Sequence, residues 1–568
     1  MRQGDASRRR LWDRLAGPGL VLALGLLLYL PRLGVEILRQ PLEAKYALAA
    51  REMLRGGHLL VPHVFGELYP DKPPLYFWTT AALGWLRGGR IDEVTARLPA
   101  VVAALVGLLL LYRLGRDLFG RRAALFSALV LATSNLFFWY ARQGHPDQFL
   151  VTFVTLACLG LWRGLAAAPG DRPTAWIGLA YAAMGLGVLS KGLLGFVLPL
   201  LAGVAYAIAT GPVRAVPARL RLGLGLGVFL ATVLAWYGPA VFQQGPGYLY
   251  ETLIHQHVLR YTRTWVHPGP WYYYFGEFPS GFFPWVLLLP GAIVLGWWTG
   301  DHAARSESAR GPDVLTVSGP RPFLFPLAWF VTGFAFLSLS TSKRGAYLLP
   351  LYPAAALMVG WLWDQAVAGR TRSRWIGVPL AIISGAAALL ALGLVLVPRR
   401  LIPGRMVDTM VPADPRVLAA VVILLLAGAT AVWLPWRRGR PTLTLGTLVA
   451  VQALLLLAVA TIRAPQYEAR FPVREFVARV EAAVPPDRPV LSLLRHYDML
   501  LAFYVDRPLL VPSGPTDIIA ARSTTEPRYA LVDDEERMGL DQPGTRLLAE
   551  TRLGQKRVAL IRLDPLPR

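Results

Sequence analysis

Cysteine and acidic residues are both scarce in this 568-residue chain. Its single cysteine, Cys158, lies in an apolar run. One cysteine excludes a disulfide framework, a zinc site built on cysteines and an iron–sulfur cluster. Only 35 Asp and Glu stand against 58 Lys and Arg, for a formal net charge of +23, and five of these 58 cations are lysines. So basic a chain suits either a nucleic-acid-binding protein or a membrane protein with arginine-rich inner loops.

Long apolar runs decide between these two classes. The chain is 55% hydrophobic, and its mean hydropathy is +0.44. A hydrocarbon core is crossed by roughly 20 apolar residues, and the sequence predicts thirteen such runs. They lie near 17–33, 97–112, 123–140, 148–162, 174–190, 192–210, 222–242, 282–299, 322–340, 345–363, 375–397, 416–435 and 441–462. A polytopic, all-α membrane protein follows.

Arginines fall in every second loop between these runs. With the N-terminus inside, the inner segments carry arginines within 2–14, 113–122, 163–172, 214–221, 305–321, 370–374 and 437–440. This alternation is the positive-inside pattern, so nucleic acid is not the expected partner. We interpret the first run as an uncleaved span and the shorter run 75–88 as an interfacial helix. Counting 75–88 as a span would reverse every later loop.

An odd number of spans places residues 463–568 outside the cytoplasm. In this segment charged residues and prolines return, and the long apolar runs stop. The residue patterns favour helices in FPVREFVARVEAAV and DMLLAFY, and strands in RPVLSLL, RYALVDD and KRVALIRL. The sequence therefore predicts two domains, a membrane domain at 1–462 and a small extracytoplasmic α/β domain at 463–568.

Ionisable residues collect in the predicted outer loops, chiefly 34–96 and 243–281. Six of the eight histidines and four of the five lysines lie in the outer loops between the spans. Such groups beside membrane spans mark a site, because their desolvation is costly. Lysine is a compact point charge that often contacts phosphate. The composition indicates an anionic substrate with proton transfer, and a lipid-linked phosphate is the anion expected at that depth.

Six short motifs occur in an order that resembles one enzyme family. They are EAKYALAAREML, LYPDKPPLYFW, WYARQGHPD, SKGLLGFVLP, QHVLRY and KRGAYLLPLYPA. Together the motifs resemble the polyprenyl-phosphate-dependent glycosyltransferases of the GT-C architecture, which include lipid A aminoarabinose transferases and protein O-mannosyltransferases. The resemblance extends from about residue 17 to 365, and it implies a GT-C fold, inversion by single displacement and a donor that is a polyprenyl phosphate sugar.

The resemblance also implies carboxylates that act on the acceptor. Family members place an aspartate beside a glutamate in the first loop. Here that glutamate corresponds to Glu43, but Leu42 precedes it, and Gln40 occupies the other place where relatives can carry aspartate. The ARxxxxD motif supplies Asp147. Either Glu43 or Asp147 is the catalytic carboxylate, or the chain is altered in acceptor choice or impaired.

The remaining site residues are predicted from the same motifs. Lys72 is expected to neutralise the leaving phosphate of the donor. Asp71 and His257 match a carboxylate and a histidine that hold a divalent metal in aminoarabinose transferases, so zinc or magnesium is a tentative cofactor. Further candidate phosphate contacts are Lys45, Arg260, Lys191 and Lys343, and candidate cavity residues are Tyr69 and Tyr347.

The predicted function is glycosyl transfer from a polyprenyl phosphate sugar to an extracytoplasmic lipid, glycan or protein acceptor. The enzyme is expected in the bacterial inner membrane, with its site and C-terminal domain on the periplasmic face. Basic outer loops and many spans would equally suit a transporter or flippase of lipid-linked sugars, although the sequence shows no internal repeat. The substitution at Leu42 leaves open a binding homologue that turns nothing over.

Overall fold

The computed structural model places most of the chain in helices, with a small sheet near the C-terminus. The residues that the structure describes are 17–39, 41–167, 172–263, 266–308, 321–371, 374–397, 414–494, 498–505, 507, 509–510, 526–533 and 544–565. Gln40 lies outside the described residues. So do the predicted inner segment 2–14 and parts of the predicted inner segments 305–321 and 370–374.

Helices account for the N-terminal four fifths of the described chain. In chain order they are α1 (Gly17–Tyr29), α2 (Leu42–Gly56), α3 (Leu75–Leu86), α4 (Glu93–Phe119), α5 (Arg121–Ala132), α6 (Asn135–Ala141), α7 (Asp147–Leu165), α8 (Pro173–Lys191), α9 (Leu194–Ala209), α10 (Val216–Arg219), α11 (Leu222–Gln244), α12 (Pro246–Leu249), α13 (Arg260–Thr262), α14 (Tyr273–Phe282), α15 (Leu289–Ser308), α16 (Leu324–Leu339), α17 (Tyr352–Val367), α18 (Arg374–Leu396), α19 (Pro415–Arg437), α20 (Pro441–Arg470), α21 (Val473–Ala483) and α22 (Asp498–Val505). A π-helical segment, Tyr250–Leu259, joins α12 to α13.

The apolar helices confirm a multi-pass membrane protein. Within the described residues, eight segments are long and apolar enough to span a bilayer, or ten if each of two bent pairs is one span. Three shorter apolar helices, α1, α9 and α16, coincide with the other predicted runs. Each predicted run therefore corresponds to a helix or a bent pair, whereas the number of thirteen spans stays a prediction.

Both bent pairs break where the backbone leaves the helical region. Between α5 and α6 the axis turns by 70°, because Ser134 is extended (φ −76°, ψ 137°). Between α14 and the segment that becomes α15 it turns by 107°, and Phe283 is extended (φ −60°, ψ 143°) before Pro284. A residue before proline favours this conformation. The sequence predicted one run, 123–140, across the first bend, whereas its run 282–299 begins at the second bend and leaves most of α14 in the outer loop.

The long first loop is ordered around α2 and α3. Gly57, in a left-handed conformation (φ 70°), ends α2. A two-residue turn with positive φ at Phe65 and Gly66 then joins β1 (His63–Val64) to β2 (Glu67–Leu68) as a hairpin. The predicted interfacial helix 75–88 corresponds to α3.

The C-terminal segment forms the predicted α/β fold. Its sheet contains β3 (Val490–Leu493), β4 (Leu509–Leu510), β5 (Arg528–Asp533), β6 (Thr545–Leu553) and β7 (Lys556–Leu563), in the order β4-β3-β5-β7-β6. The three predicted strands are β3, β5 and β7, and the two predicted helices are α21 and α22. Sequence patterns missed β4 and β6. Helix α20 also continues to Arg470, so the last apolar helix extends past the predicted boundary at 462.

This C-terminal unit packs on the first loop. Buried residues of α2, α3, α21, α22 and the sheet share one hydrophobic cluster. The buried Arg51 of α2 donates hydrogen bonds to the carbonyls of Ala502 and Phe503, at 2.6 and 2.7 Å. These carbonyls lie in the last turn of α22, where a cation is favourable. The loop and the C-terminal unit therefore form one extramembrane layer over the bundle.

Candidate active site

A large cavity opens where the extramembrane layer meets the helix ends. It has a volume of about 630 Å³. The residues around it come from the start of α2, the segment after β2, the starts of α7 and α9, the end of α8, the π-helical segment and the extended segment before α17. Eight of the predicted site residues line it, namely Lys45, Asp71, Lys72, Asp147, Lys191, His257, Arg260 and Tyr347.

One group of charges in the cavity is centred on Asp71. Lys72 donates to Asp71 Oδ1 at 2.9 Å, and the Tyr69 hydroxyl donates to Oδ2 at 2.8 Å. The Arg260 guanidinium lies 3.6 Å from Oδ1. Burial alone would raise the pKa of the Asp71 carboxyl, but Lys72, Tyr69 and Arg260 hold that pKa well below its usual range. Asp71 is therefore an anion that positions two cations on the cavity wall.

The second group is centred on Asp147, the first residue of α7. Its carboxylate forms an ion pair with the ammonium of Lys191 at the end of α8, and both side chains are less than a tenth exposed. His145 Nδ1 lies 3.8 Å from the other carboxylate oxygen. These groups meet because α7 and α8 are packed neighbours. Lys191 also lies 5.2 Å from the centroid of the Tyr347 ring, which shapes this side of the cavity.

Tyr69 packs behind the residues that line the cavity. It is buried and does not line the cavity, but its ring lies 4.2 Å from the Lys45 ammonium, a cation–π contact. Because its hydroxyl also binds Asp71, Tyr69 joins the Lys45 side of the cavity to the Asp71 group. Burial is the main cause that raises the pKa of Tyr69, and the neighbouring Tyr46 and Asp71 raise it further. The Tyr69 hydroxyl therefore keeps its proton.

Glu43 does not line the cavity, in contrast to the sequence prediction. Its side chain is fully buried, and its two carboxylate oxygens accept from Arg97 at 2.7 and 2.9 Å. They also accept from the backbone N–H groups of Gly144 and Arg39, at 2.7 and 2.8 Å. Burial would raise the pKa of Glu43, but Arg97 and these N–H groups lower it to about 2. Because all of these contacts lie inside the protein, the Glu43 carboxylate is not accessible to a substrate in this arrangement.

Lys343 also lies away from the cavity, whereas its neighbour Arg344 lines it. The Lys343 ammonium is buried and donates to the carbonyls of Leu337 and Ser338, at 3.0 and 2.6 Å. It thereby binds the last turn of α16. The backbone around these two residues is extended, and successive side chains of an extended chain lie on opposite sides. Arg344 therefore takes the place that the sequence prediction gave to Lys343.

Among the lining residues that sequence reasoning missed are Tyr46, His145, His267 and Arg344. Two of them lie within motifs that indicated a neighbour, since His145 precedes Asp147 by two residues and Arg344 follows Lys343. The signal that finds Arg344 is the extended backbone, which no residue pattern revealed. His267 lies in the loop 243–281, where the sequence identified histidines without distinguishing between them.

The Asp71 and His257 pair does not fit a divalent metal in this arrangement. Both Asp71 oxygens are already bound by Lys72 and the Tyr69 hydroxyl. His257 Nδ1 lies 2.9 Å from the carbonyl of Gln256, and its ring packs against Gly192, where any side chain would collide with Nε2. In the part of the chain that the structure describes, no three His, Cys, Asp or Glu side chains form a ligand group. Metal binding stays a prediction, and no step proposed below uses a metal.

Positive charge exceeds negative charge in the cavity. Among the described residues that line it, five cations (Lys45, Lys72, Lys191, Arg260 and Arg344) face two carboxylates. Burial is the main cause that lowers the pKa of His257, and Lys72 adds to it. The pKa is about 4, so this histidine is neutral at pH 7. An apolar wall adjoins the charges and includes Leu193, Leu194, Val197, Phe336 and Leu337. A cavity of this kind accommodates an anionic group attached to an apolar chain.

Comparison with known proteins identifies the family. A family model described as dolichyl-phosphate-mannose-protein mannosyltransferase matches residues 71–237. The undecaprenyl phosphate-alpha-4-amino-4-deoxy-L-arabinose arabinosyl transferase 1 of Pseudomonas fluorescens is 31% identical over 457 residues, which are 80% of this chain and 76% of that protein. The corresponding transferase of Pectobacterium carotovorum is 30% identical over 66% of this chain and 65% of its own length.

Solved structures confirm the fold. The crystal structure of ArnT from Cupriavidus metallidurans bound to undecaprenyl phosphate superposes with a TM-score of 0.76 over 97% of this chain and 99% of that chain, at 23% identity. Its apo state gives a TM-score of 0.75. Together with the relatives, this fold defines a multi-pass membrane glycosyltransferase. The chain belongs to the polyprenyl-phosphate-dependent glycosyltransferases of the GT-C architecture, as its six motifs predicted.

Proposed function

We propose that this enzyme transfers a glycosyl group from a polyprenyl phosphate sugar to an acceptor outside the cytoplasm. The observation that carries the proposal is the excess of cations beside an apolar wall in one cavity. A polyprenyl phosphate sugar has the matching chemistry, since a phosphodiester joins an apolar chain to a sugar. The names of the relatives, which specify undecaprenyl phosphate and a sugar, support the same donor class.

The Asp71 group binds the donor phosphate. Lys72 and Arg260 are held in place by Asp71, so their charges need no rearrangement when phosphate arrives. Lys45 lies against Tyr69 of the same group. As the bond from the anomeric carbon to the phosphate oxygen breaks, negative charge grows on the departing polyprenyl phosphate. Fixed cations stabilise this charge more in the transition state than in the bound donor, which accelerates the reaction.

Asp147 is the carboxylate placed to act on the acceptor. It lines the cavity with Lys191 and His145, whereas Glu43 is enclosed in the protein. For a hydroxyl acceptor, the hydroxyl oxygen bonds to the anomeric carbon, its proton passes to Asp147, and polyprenyl phosphate leaves. For an acceptor that is already anionic, no proton is removed, and Lys191 and Arg344 offset its charge. In both cases the missing aspartate at Leu42 is dispensable.

We assign the cavity to the periplasmic side of a bacterial inner membrane. The inner segments contain arginine clusters, and the cavity lies at the opposite ends of the helices. The C-terminal unit packs on the same loop that supplies Lys45 and Lys72, so it lies on the same side. The acceptor is then a lipid, glycan or protein that is accessible from the periplasm.

The test is transfer from a labelled polyprenyl phosphate sugar in membranes that contain the enzyme. Lys72→Ala should lower turnover roughly ten- to a hundredfold, because it removes a charge-assisted contact of about 1.5–3 kcal/mol. Protein abundance should not change, since Lys72 lies on the cavity wall. Arg90→Ala is the matched control: this cation is exposed in the same loop and should leave turnover unchanged.

Two outcomes would contradict the proposal. Movement of intact donor across the membrane without a glycosylated product would show a transporter. Donor binding by the folded parent protein without turnover on any periplasmic acceptor fraction would show the impaired homologue that Leu42 suggested. Equal turnover in the parent and a folded Lys72→Ala variant would remove Lys72 from the mechanism.

A further inference from the structure

A second, smaller cavity lies between α1, α6, α20 and the start of the first loop. Its volume is about 40 Å³, and it shares no lining residue with the active-site cavity. Arg32, Arg39, Arg97 and Arg142 line it together with Trp139 and Glu36. A fifth arginine, Arg463 of α20, stacks on the Trp139 ring at 5.0 Å. The cavity is therefore strongly basic and partly aromatic.

Of these five arginines, Arg39 and Arg97 each form an ion pair with a carboxylate, whereas Arg142 and Arg463 form none with the described residues. Arg39 binds Glu36 at 2.8 Å, and Arg97 binds Glu43 at 2.7 Å. Arg142 donates only to the carbonyls of Leu28, Tyr29 and Pro31, at 2.8 to 3.1 Å. Within the described residues, Arg463 has no hydrogen-bond partner, only its contact with Trp139.

Glu36 offsets part of this half-buried positive charge, but four arginines line the cavity against this one carboxylate, and the excess of cations favours binding of an anion. Burial, with repulsion from Arg97 and Arg39, lowers the pKa of Arg142 to about 10. Because this pKa is still well above 7, the Arg142 guanidinium remains charged at pH 7 and is repelled by Arg97 and Arg39. A bound anion would offset this repulsion, and the planar, forked donors of arginine match phosphate oxygens in pairs.

The size and position of the cavity specify the anion further. One water needs roughly 10–15 Å³ of such space, so about 40 Å³ holds about three oxygen-sized groups, which is room for the two non-bridging oxygens of a phosphodiester. The cavity lies at the outer ends of α1 and α20 in the proposed orientation, which is the level of lipid headgroups. Trp139 and Tyr467, both stacked with Arg39, are residue types typical of that level.

We infer that this arginine cavity binds the headgroup phosphate of an anionic lipid from the outer leaflet. The inference rests on the proposed orientation. A contact with the active site follows from Glu43, whose carboxylate binds Arg97 of this cavity and the N–H of Gly144. Gly144 lies in the short segment that ends in His145 and Asp147. The bound lipid would therefore brace the segment that carries the acceptor-side carboxylate.

Thermal unfolding of the full-length protein in a neutral detergent tests this site. The probe is dioctanoyl phosphatidylglycerol, titrated against the midpoint of unfolding, because a ligand that binds only the folded state raises the midpoint. Dioctanoylglycerol lacks the phosphate, and inorganic phosphate lacks the chains. The phosphatidylglycerol should raise the midpoint at concentrations where neither control does.

Variants then locate the binding. Arg463→Gln should require at least tenfold more phosphatidylglycerol for the same shift, and Arg463→Lys should fall between this variant and the parent. Arg90→Gln, which removes an exposed cation elsewhere in the outer loop, should behave as the parent. Lys72→Ala should keep the response as well, since it changes only the active-site cavity. Because Lys72 also tests glycosyl transfer, its two readouts separate this inference from the proposed function.

Four results would overturn the inference. An equal shift with inorganic phosphate would show that a free anion suffices, and an equal shift with dioctanoylglycerol would show that the chains alone bind. An unchanged response in folded Arg463→Gln would remove the site from this cavity. Loss of the response in Lys72→Ala would place the lipid in the active-site cavity.

Discussion

Two adjacent cations, Lys343 and Arg344, have different surroundings because the backbone between them is extended. Lys343 is buried and binds the carbonyls that end α16, while Arg344 lines the active-site cavity. Burial is the largest single effect on the pKa of Arg344, and it lowers that pKa. The nearby tyrosine hydroxyls and Asp147 raise it, and together they outweigh burial, so the pKa of Arg344 lies above its ordinary value. A substitution at either position removes one positive charge, but only one of the two charges faces substrate.

The pair makes a matched comparison. Arg344→Gln should lower turnover roughly ten- to a hundredfold with little change in thermal stability, because a contact with substrate charge contributes about 1.5–3 kcal/mol. Lys343→Met should instead lower the free energy of unfolding by about 1–3 kcal/mol, since two buried carbonyls lose their donor. Turnover per folded molecule and the midpoint of unfolding measure the two effects. The reverse assignment of effects would show that Lys343 is the residue that binds substrate.

Glu43 predicts a dependence of stability on pH. Its pKa is about 2 in the folded protein, against an ordinary value of 4.5. A lowered folded pKa means that the stabilisation is complete above about pH 4.5 and is lost as the pH falls from 4.5 towards 2. Glu43→Gln should remove this part of the acid dependence. It should also cost about 3–5 kcal/mol at pH 7, because Arg97 is left buried without its partner.

Unfolding midpoints of the parent and Glu43→Gln between pH 7 and pH 2 test this prediction. Glu52→Gln is the control, since this half-buried carboxylate of the same helix accepts from the hairpin N–H groups of Phe65 and Gly66. A Glu43→Gln protein as stable as the parent, yet without turnover, would return Glu43 to a catalytic role.

Helix α2 connects three parts of the molecule. Its first turn carries Glu43, which binds the bundle at Arg97, and Lys45, which lines the active-site cavity. Its second half carries Arg51, which binds the end of α22 in the C-terminal unit. With a rise of 1.5 Å per residue, Lys45 and Arg51 lie roughly 9 Å apart along the axis. Contacts with the C-terminal unit therefore help to position one wall of the cavity.

Loss of Arg51 should weaken this connection. Arg51→Ala removes two buried, charge-assisted hydrogen bonds at the end of α22, so the C-terminal unit should undock more often. Limited proteolysis should cut residues after 470 several-fold faster than in the parent. Arg90→Ala, at an exposed position in the same outer loop, is the control and should match the parent. Equal cleavage rates in all three proteins would show that the apolar cluster alone holds the unit in place.

The whole molecule has a defined orientation in the proposed function. Reporter fusions should place residues 120 and 438 in the cytoplasm, because each lies beside a pair of arginines in the loop between two apolar helices. Fusions at 65, 260 and 500 should lie in the periplasm. An inner location of residue 65 or 260 would break the site, since Lys72 and Arg260 would no longer share a compartment with the outer helix ends.

Much of this architecture follows from the sequence alone. Apolar runs of membrane length predicted the helices, because every backbone polar group in lipid must be satisfied within its own helix. Arginine alternation predicted which loops share a side. Six motifs in order predicted the family, and eight of the eleven predicted site residues line one cavity, because the motifs fall at helix ends on that side.

Tertiary structure decided which charged side chains line the cavity. Glu43 and Asp147 are both acids in the first turn of a helix, and the sequence could not separate them. Arg97, from a segment 54 residues away, encloses Glu43, whereas α8 brings Lys191 to Asp147 at the open cavity. Lys343 and Arg344 likewise differ only through a local extended backbone. The physical reason is the same in each case: desolvation and pairing depend on neighbours that are distant in sequence, and these neighbours are set by packing.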